Sequence, residues 1–180
     1  MAIRTPSQTI GPFFHVGLKW EGGEKVAFQA AGTPLVLTGR VYDGSGAVIA
    51  DAMIETWQAG PDGAVPRGGP STKAAGYSRA ATDIEGRYRI ETLMPGACTG
   101  PGGENYPAQI HVTIFARGLL KALRTRVILA DAESARTDPL VQAAGARAAT
   151  LIAACDPKYP GTWHWDIRFQ GKDETVFIEA

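Results

Sequence analysis

The run QIHVTIFAR at residues 109–117 alternates without a break. Ile110, Val112, Ile114 and Ala116 fall on one side of an extended chain, and Gln109, His111, Thr113, Phe115 and Arg117 on the other. A period of two, carried by β-branched and aromatic residues, predicts a strand with one face in a core. Residues 124–129 follow as a second strand. Upstream, Leu35, Leu37, Gly39 and Val41 share one face of a strand that ends at the turn Asp43-Gly44-Ser45-Gly46. Residues 52–57 make another strand, Asp83-Ile84-Glu85-Gly86 another turn, and residues 87–93 alternate again. At the C-terminal end Trp163, Trp165, Ile167 and Phe169 alternate with His164, Asp166, Arg168 and Gln170, and residues 175–179 are expected to close the sheet. Seven or so short strands separated by turns predict a β-sandwich.

The rest of the chain is loop and one short helical region. Asp138 is suited to be an N-cap and Pro139 to be the first helical residue of a segment over 138–154 that Gly145 interrupts. Residues 59–76 and 95–107 are long Gly/Pro-rich loops, a kind that tends to be functional or to pack on a partner. The lead-in TPSQTIGPFFHVGLKW, residues 5–20, has no clean period, and Phe13, Phe14 and Trp20 need burial on this domain or on another chain.

Composition narrows the function classes. The 180 residues suffice for one domain, and 22 Gly plus 12 Pro favour strands and turns over long helices. Eighteen basic and 18 acidic residues leave no net charge, which argues against a nucleic-acid or membrane-surface protein. Cys98 and Cys155 lie in no CxxC or Cys/His cluster and are expected to be reduced. No apolar leader opens the sequence and no run approaches the ~18 residues of a membrane span, so the cytosol is the default compartment.

Chemistry is sparse at the level of motifs. The three histidines, His15, His111 and His164, form no zinc spacing, and neither a GxSxG elbow nor a phosphate loop occurs. His164 reads as a solvated surface residue and His111 as a hydrogen-bonded histidine of the sandwich. Arg117, Lys121, Arg124 and Arg126 read as a solvated hairpin rim, with Arg117, at the end of an apolar strand, the one suited to hold an anion.

Four segments carry a family resemblance. They are TPSQTIGPFFHVGL (5–18), LTGRVYDGSGAVIADAMIETWQA (37–59), the stretch from ATDIEGRYRIETLMPG to QIHVTIFARGL (81–119), and WDIRFQGKDETVFIEA (165–180). In this order they resemble the intradiol ring-cleavage dioxygenases, with Thr56 where an apolar residue is usual. The expected architecture is mainly β, an immunoglobulin-like or transthyretin-like β-sandwich over residues 1–180. Residues 1–34 are expected to form a lead-in that packs on a partner chain.

The resemblance implies a ferric ion held by two tyrosines and two histidines, and most of those positions are altered here. Residues 61–76 contain no tyrosine, Cys98 stands where the second tyrosine would, and Gln109 replaces the first histidine, leaving only His111. A lone imidazole without phenolate donors does not hold ferric iron against water. The departure is that of the family's non-catalytic alpha-type chain, so no metal and no catalytic residue is expected in this chain. The iron is expected on a homologous beta-type partner.

By motif, Thr9, Pro12 and Arg117 then line the substrate pocket between the two chains. The implied reaction is opening of 3,4-dihydroxybenzoate by dioxygen to 3-carboxy-cis,cis-muconate. Two alternatives are a rearranged metal site built on His111 and Cys98, and a non-enzymatic β-sandwich binding module.

Overall fold

The computed structural model describes residues 11, 13–26, 31–66, 76–100 and 102–178. Two sheets enclose the core. In the first, β1 (Pro34–Tyr42) is central, antiparallel to β4 (Arg87–Leu93) on one side. On its other side it runs parallel to β10 (Thr162–His164) and β11 (Ile167–Arg168), with β9 (Ala154–Cys155) beyond β10. The second sheet is antiparallel throughout, in the order β3 (Tyr77–Ala81), β2 (Met53–Gln58), β7 (Gln109–Phe115), β8 (Leu123–Ile128). A ribbon of β5 (Cys98–Thr99) and β6 (Asn105–Tyr106) stands apart from both.

The alternation seen in the sequence is what closes the sandwich. Leu35, Leu37 and Val41 of β1, Tyr88 and Ile90 of β4, and Ile167 of β11 meet Ile54, Ala80, Ile110, Val112, Ile114 and Val127 of the facing sheet. Each of these side chains is buried, and burying one aliphatic side chain is worth ~1.5–3 kcal/mol. Gly39 interrupts the row of large residues for a steric reason. A Cβ there would lie 1.8 Å from the Trp165 carbonyl oxygen, which accepts the Tyr88 hydroxyl hydrogen bond at 2.6 Å.

The turns over residues 43–46 and 83–86 form as the sequence predicts. The Asp43 carboxylate accepts from the Ser45 and Ala47 amides, and the Asp83 carboxylate accepts from those of Glu85 and Arg87. Thr56, unusual for the family resemblance, is buried with its hydroxyl 2.6 Å from that of Ser78 on the paired strand, so the polar group is satisfied.

Several expectations need correction. The C-terminal strand is not continuous. The Arg40 amide bonds the Asp166 carboxylate at 2.9 Å instead of a backbone carbonyl, which splits the pairing into β10 and β11. Residues 174–178 are not a strand either. They are tied in by the Thr175 amide to the Arg168 carbonyl and by the Thr125 hydroxyl to the Val176 carbonyl.

The helical region is broken more sharply than expected. α3 (Pro139–Ala144), capped by Asp138, gives way at Gly145 (φ +55°) to a 3₁₀ turn, Gly145–Leu151. Two further short helices, α1 (Phe14–Gly17) and α2 (Ala132–Ala135), have no counterpart in the sequence reading. No helix among the described residues is long and apolar enough to cross a membrane.

The described part of the lead-in docks on its own domain. Phe14 is buried, the Arg79 amide donates to the Gly23 carbonyl, and the Arg79 guanidinium donates to the Leu18 carbonyl at 2.7 Å. That guanidinium lies 5.1 Å from the Trp20 ring and bonds Glu55, which also accepts from the Tyr77 hydroxyl. Burial and the Glu55 carboxylate push the Tyr77 pKa up to about 12. Phe13 and Val16 remain three-quarters exposed.

Candidate functional site

The two long loops meet at the open end of the second sheet. The Gly96 amide donates to the Gly60 carbonyl at 2.9 Å, and a Cβ on Gly63 (φ +79°) would lie 2.2 Å from the Ala97 carbonyl oxygen. Only glycine permits that approach. The loops therefore fold over the ends of β2 and β7 and leave a cleft of about 60 Å³ between them.

Trp57, Gln58, Cys98, Gln109 and His111 line this cleft. The positions at which the sequence reading sought altered metal ligands are thus brought together in space. Strand register explains how. Gln109 and His111 are two residues apart on one face of β7, Trp57 pairs with His111 from β2, and Cys98 pairs with Tyr106 on the ribbon above.

The structure corrects the reading of Arg126, which is no rim residue. It pairs with His111 across β7 and β8, and its side chain is about one-tenth exposed. One Nη donates to the Gln109 Oε1 at 3.0 Å and the other to the fully buried Asp138 Oδ1 at 2.7 Å, and the guanidinium lies 5.0 Å from the Tyr106 ring. The same Asp138 oxygen caps α3 by accepting from the Leu140 and Val141 amides. Arg126 Nε and Asp138 Oδ2 have no hydrogen-bond partner among the described residues.

Protein packed around the base of His111, then the Arg126 charge, lower the imidazole pKa, and Asp138 opposes them. The ring still reaches solvent. The imidazole is therefore held toward its neutral form beside a fixed cation.

These residues do not fit a ferric ion. The Gln109 oxygen is engaged by a guanidinium, a permanent positive charge occupies the neighbourhood, and among the described residues no tyrosine lines the cleft. Cys98 and His111 alone supply two donors, which also disfavours the rearranged His111–Cys98 site. Among the described residues no three His, Cys, Asp or Glu side chains converge as a metal site.

Gln58 is a cleft residue that sequence reasoning missed. Buried at the end of β2, it donates to the Leu93 carbonyl at 2.8 Å and accepts from the Thr92 hydroxyl at 2.9 Å, tying the two sheets together. Arg126 and Asp138 were missed as a pair because their contact joins a strand to a helix cap. The one available signal was that Arg126 shares a strand face with the apolar Ile128.

The other expected site residues lie elsewhere. Arg117 stands in the turn after β7, about two-thirds exposed, with its Nε 2.9 Å from the Asp51 carboxylate. Thr9 and Pro12 lie outside the described residues. Lys121 and Arg124 are exposed, as expected of a rim. His164, half exposed, lies 2.9 Å from Asp156, and both cysteines are free.

A protein-family profile described as Dioxygenase matches residues 12–171. The chain belongs to this dioxygenase family. Among the curated members it is 35% identical to the protocatechuate 3,4-dioxygenase alpha chain of Burkholderia cepacia, over 98% of both chains. It is 28% identical to the beta chain from the same organism, over 82% of this chain and 68% of that one. The fold is that of the dioxygenases as well. The intradiol ring-cleavage dioxygenase from Tetranychus urticae superposes with a TM-score of 0.61 at 18% identity, covering 93% of this chain and 94% of the other. Dioxygenase membership with an arginine buried beside the Gln109–His111 pair sets the terms for the function.

Proposed function

We propose that this chain is the alpha-type subunit of a protocatechuate 3,4-dioxygenase. It completes the substrate pocket of an iron-bearing beta-type chain, and the complex opens 3,4-dihydroxybenzoate with dioxygen to 3-carboxy-cis,cis-muconate. The observation that carries this reading is the buried Arg126–Gln109–Asp138 cluster. The cluster engages Gln109, the position that the family resemblance reads as an altered metal ligand, in a chain whose near-full-length relative is named an alpha chain.

The ferric ion, on the partner, supplies the chemistry that binds the catecholate and activates it towards oxygen. This chain's share is shape and charge. Substrate and product are carboxylates, so the exposed guanidinium of Arg117 is suited to face them across the subunit boundary. Thr9 and Pro12 of the lead-in line the pocket mouth, and the exposed Phe13 packs on the partner. The complex works in the cytosol.

Separate expression tests the reading. The chain alone is expected to bind well under one equivalent of iron and to lack activity on 3,4-dihydroxybenzoate. Co-expression with a beta-type chain should give one co-eluting, iron-loaded, active complex. Stoichiometric iron and activity in the isolated chain would overturn the proposal. In the complex, Arg117→Ala should lower kcat/KM by roughly ten- to thirtyfold with iron content intact.

A further inference from the structure

We propose that Asp51 is the positioning residue for Arg117. The inference rests on the reading of Arg117 given above and adds the residue that aims it. The β2/β7 register ends at the pair Met53–Phe115, and extending it by two residues places Asp51 opposite Arg117. Both residues lie just past the ends of the paired strands, so the sheet register brings them to the same level.

Its geometry is selective. Asp51 Oδ2 lies 2.9 Å from Arg117 Nε as an ion pair, and Arg117 has no other ion pair among the described residues. The Arg117 side chain is about two-thirds exposed, which leaves its guanidinium accessible to a carboxylate. The anchor beneath is rigid. Ala52 is fully buried, its amide donates to the Thr82 hydroxyl at 2.9 Å, and its carbonyl accepts the Thr82 amide at 2.9 Å. On the other strand the Leu119 amide closes the turn onto the Ala116 carbonyl. An arginine held this way has already given up side-chain freedom that an unheld one would lose on meeting its anion.

Two opposing accounts exist, and they differ in sign. As a negative charge near the anion, Asp51 would weaken binding, so its removal would lower KM. As an ordinary exposed ion pair, of the kind Arg147 makes with Glu174, it would leave kinetics unchanged. Only positioning predicts that removal hurts and that a carboxylate restored at the same site recovers function.

The test uses the reconstituted complex with a beta-type chain, with iron content and assembly measured for each variant and oxygen uptake on 3,4-dihydroxybenzoate as the readout. Asp51→Ala should raise KM by about three- to tenfold with kcat within about twofold of wild type. Asp51→Glu, which keeps a carboxylate within reach of the guanidinium, should return KM to within about twofold of wild type. Asp51→Ala should have no further effect in an Arg117→Ala background. An unchanged or lowered KM for Asp51→Ala, beside an impaired Arg117→Ala, would overturn the inference and leave the reading of Arg117 standing. Additive losses in the double variant would also overturn it. Wild-type kinetics for Arg117→Ala would remove both.

Discussion

Asp138→Ala strikes the best-buried carboxylate among the described residues. The Asp138 side chain is fully buried and that of Arg126 is about one-tenth exposed. Truncation removes the Arg126 counter-charge and the hydrogen bonds to the Leu140 and Val141 amides in one step. Breaking a buried ion pair by deleting one partner costs about 3–5 kcal/mol, because the survivor keeps its charge without compensation. Loss of an N-cap alone costs about 1 kcal/mol.

Arg126 keeps Gln109 and a sliver of solvent, so the sum should lie near the lower end, about 3–4 kcal/mol. Against a domain stability of ~5–15 kcal/mol that is a large fraction. Urea unfolding followed by tryptophan fluorescence, at a fixed concentration of any partner chain, is the assay. With a slope of about 2 kcal/mol/M the midpoint should fall by about 1.5–2 M. Asp138→Asn keeps the cap and loses the charge, so it should recover about 1 kcal/mol of the loss. The Arg126→Met, Asp138→Ala double variant should be more stable than Asp138→Ala, since no charge is left unpaired. A loss under about 1.5 kcal/mol for Asp138→Ala, or strict additivity in the double variant, would refute the view that these two buried charges neutralise each other.

Further predictions concern the cleft and the core. His111 has its pKa lowered in the fold, so the unfolded chain binds its proton more tightly. Its contribution is complete above the unfolded value of about 6.5 and is lost as pH falls through the lower folded value. His111→Gln should flatten the decline in stability just below about pH 6.5, and an unchanged pH profile would contradict the assigned direction. Gly39→Ala places a methyl against the Trp165 carbonyl and should cost about 3 kcal/mol or more in thermal unfolding, an undiminished Tm being the contrary result. Thr56→Val strands the Ser78 hydroxyl and should cost about 1–3 kcal/mol, while Thr56→Val with Ser78→Ala should be nearly neutral in the same denaturation assay. Phe13→Ser should weaken co-elution with a beta-type chain without lowering the Tm of the chain alone, because Phe13 is three-quarters exposed on its own domain.

Much of this was legible from residues alone. The alternation at 35–41, 87–93 and 109–117 named the core faces correctly because burial on one side of a strand imposes a period of two, whatever the strand pairs with. The turns at Asp43 and Asp83 and the cap at Asp138 were readable because each is completed by a side chain bonding backbone within four residues of itself. Cys98, Gln109 and His111, singled out from segment order, line one cleft.

Tertiary structure decided what no local pattern carries. Arg126 looks in sequence like its exposed neighbours Lys121 and Arg124. It is buried because β8 pairs with β7 beside Gln109 and because a helix cap from a different segment arrives beneath it. The break between β10 and β11 depends on the Asp166 carboxylate standing in for a backbone carbonyl as acceptor of the Arg40 amide on β1, far away in the chain. Asp51 meets Arg117 only through the β2/β7 register. In each case the determining energy is a contact between distant segments. Periodicity reports which way a side chain points, and only the assembled sheets determine what it meets.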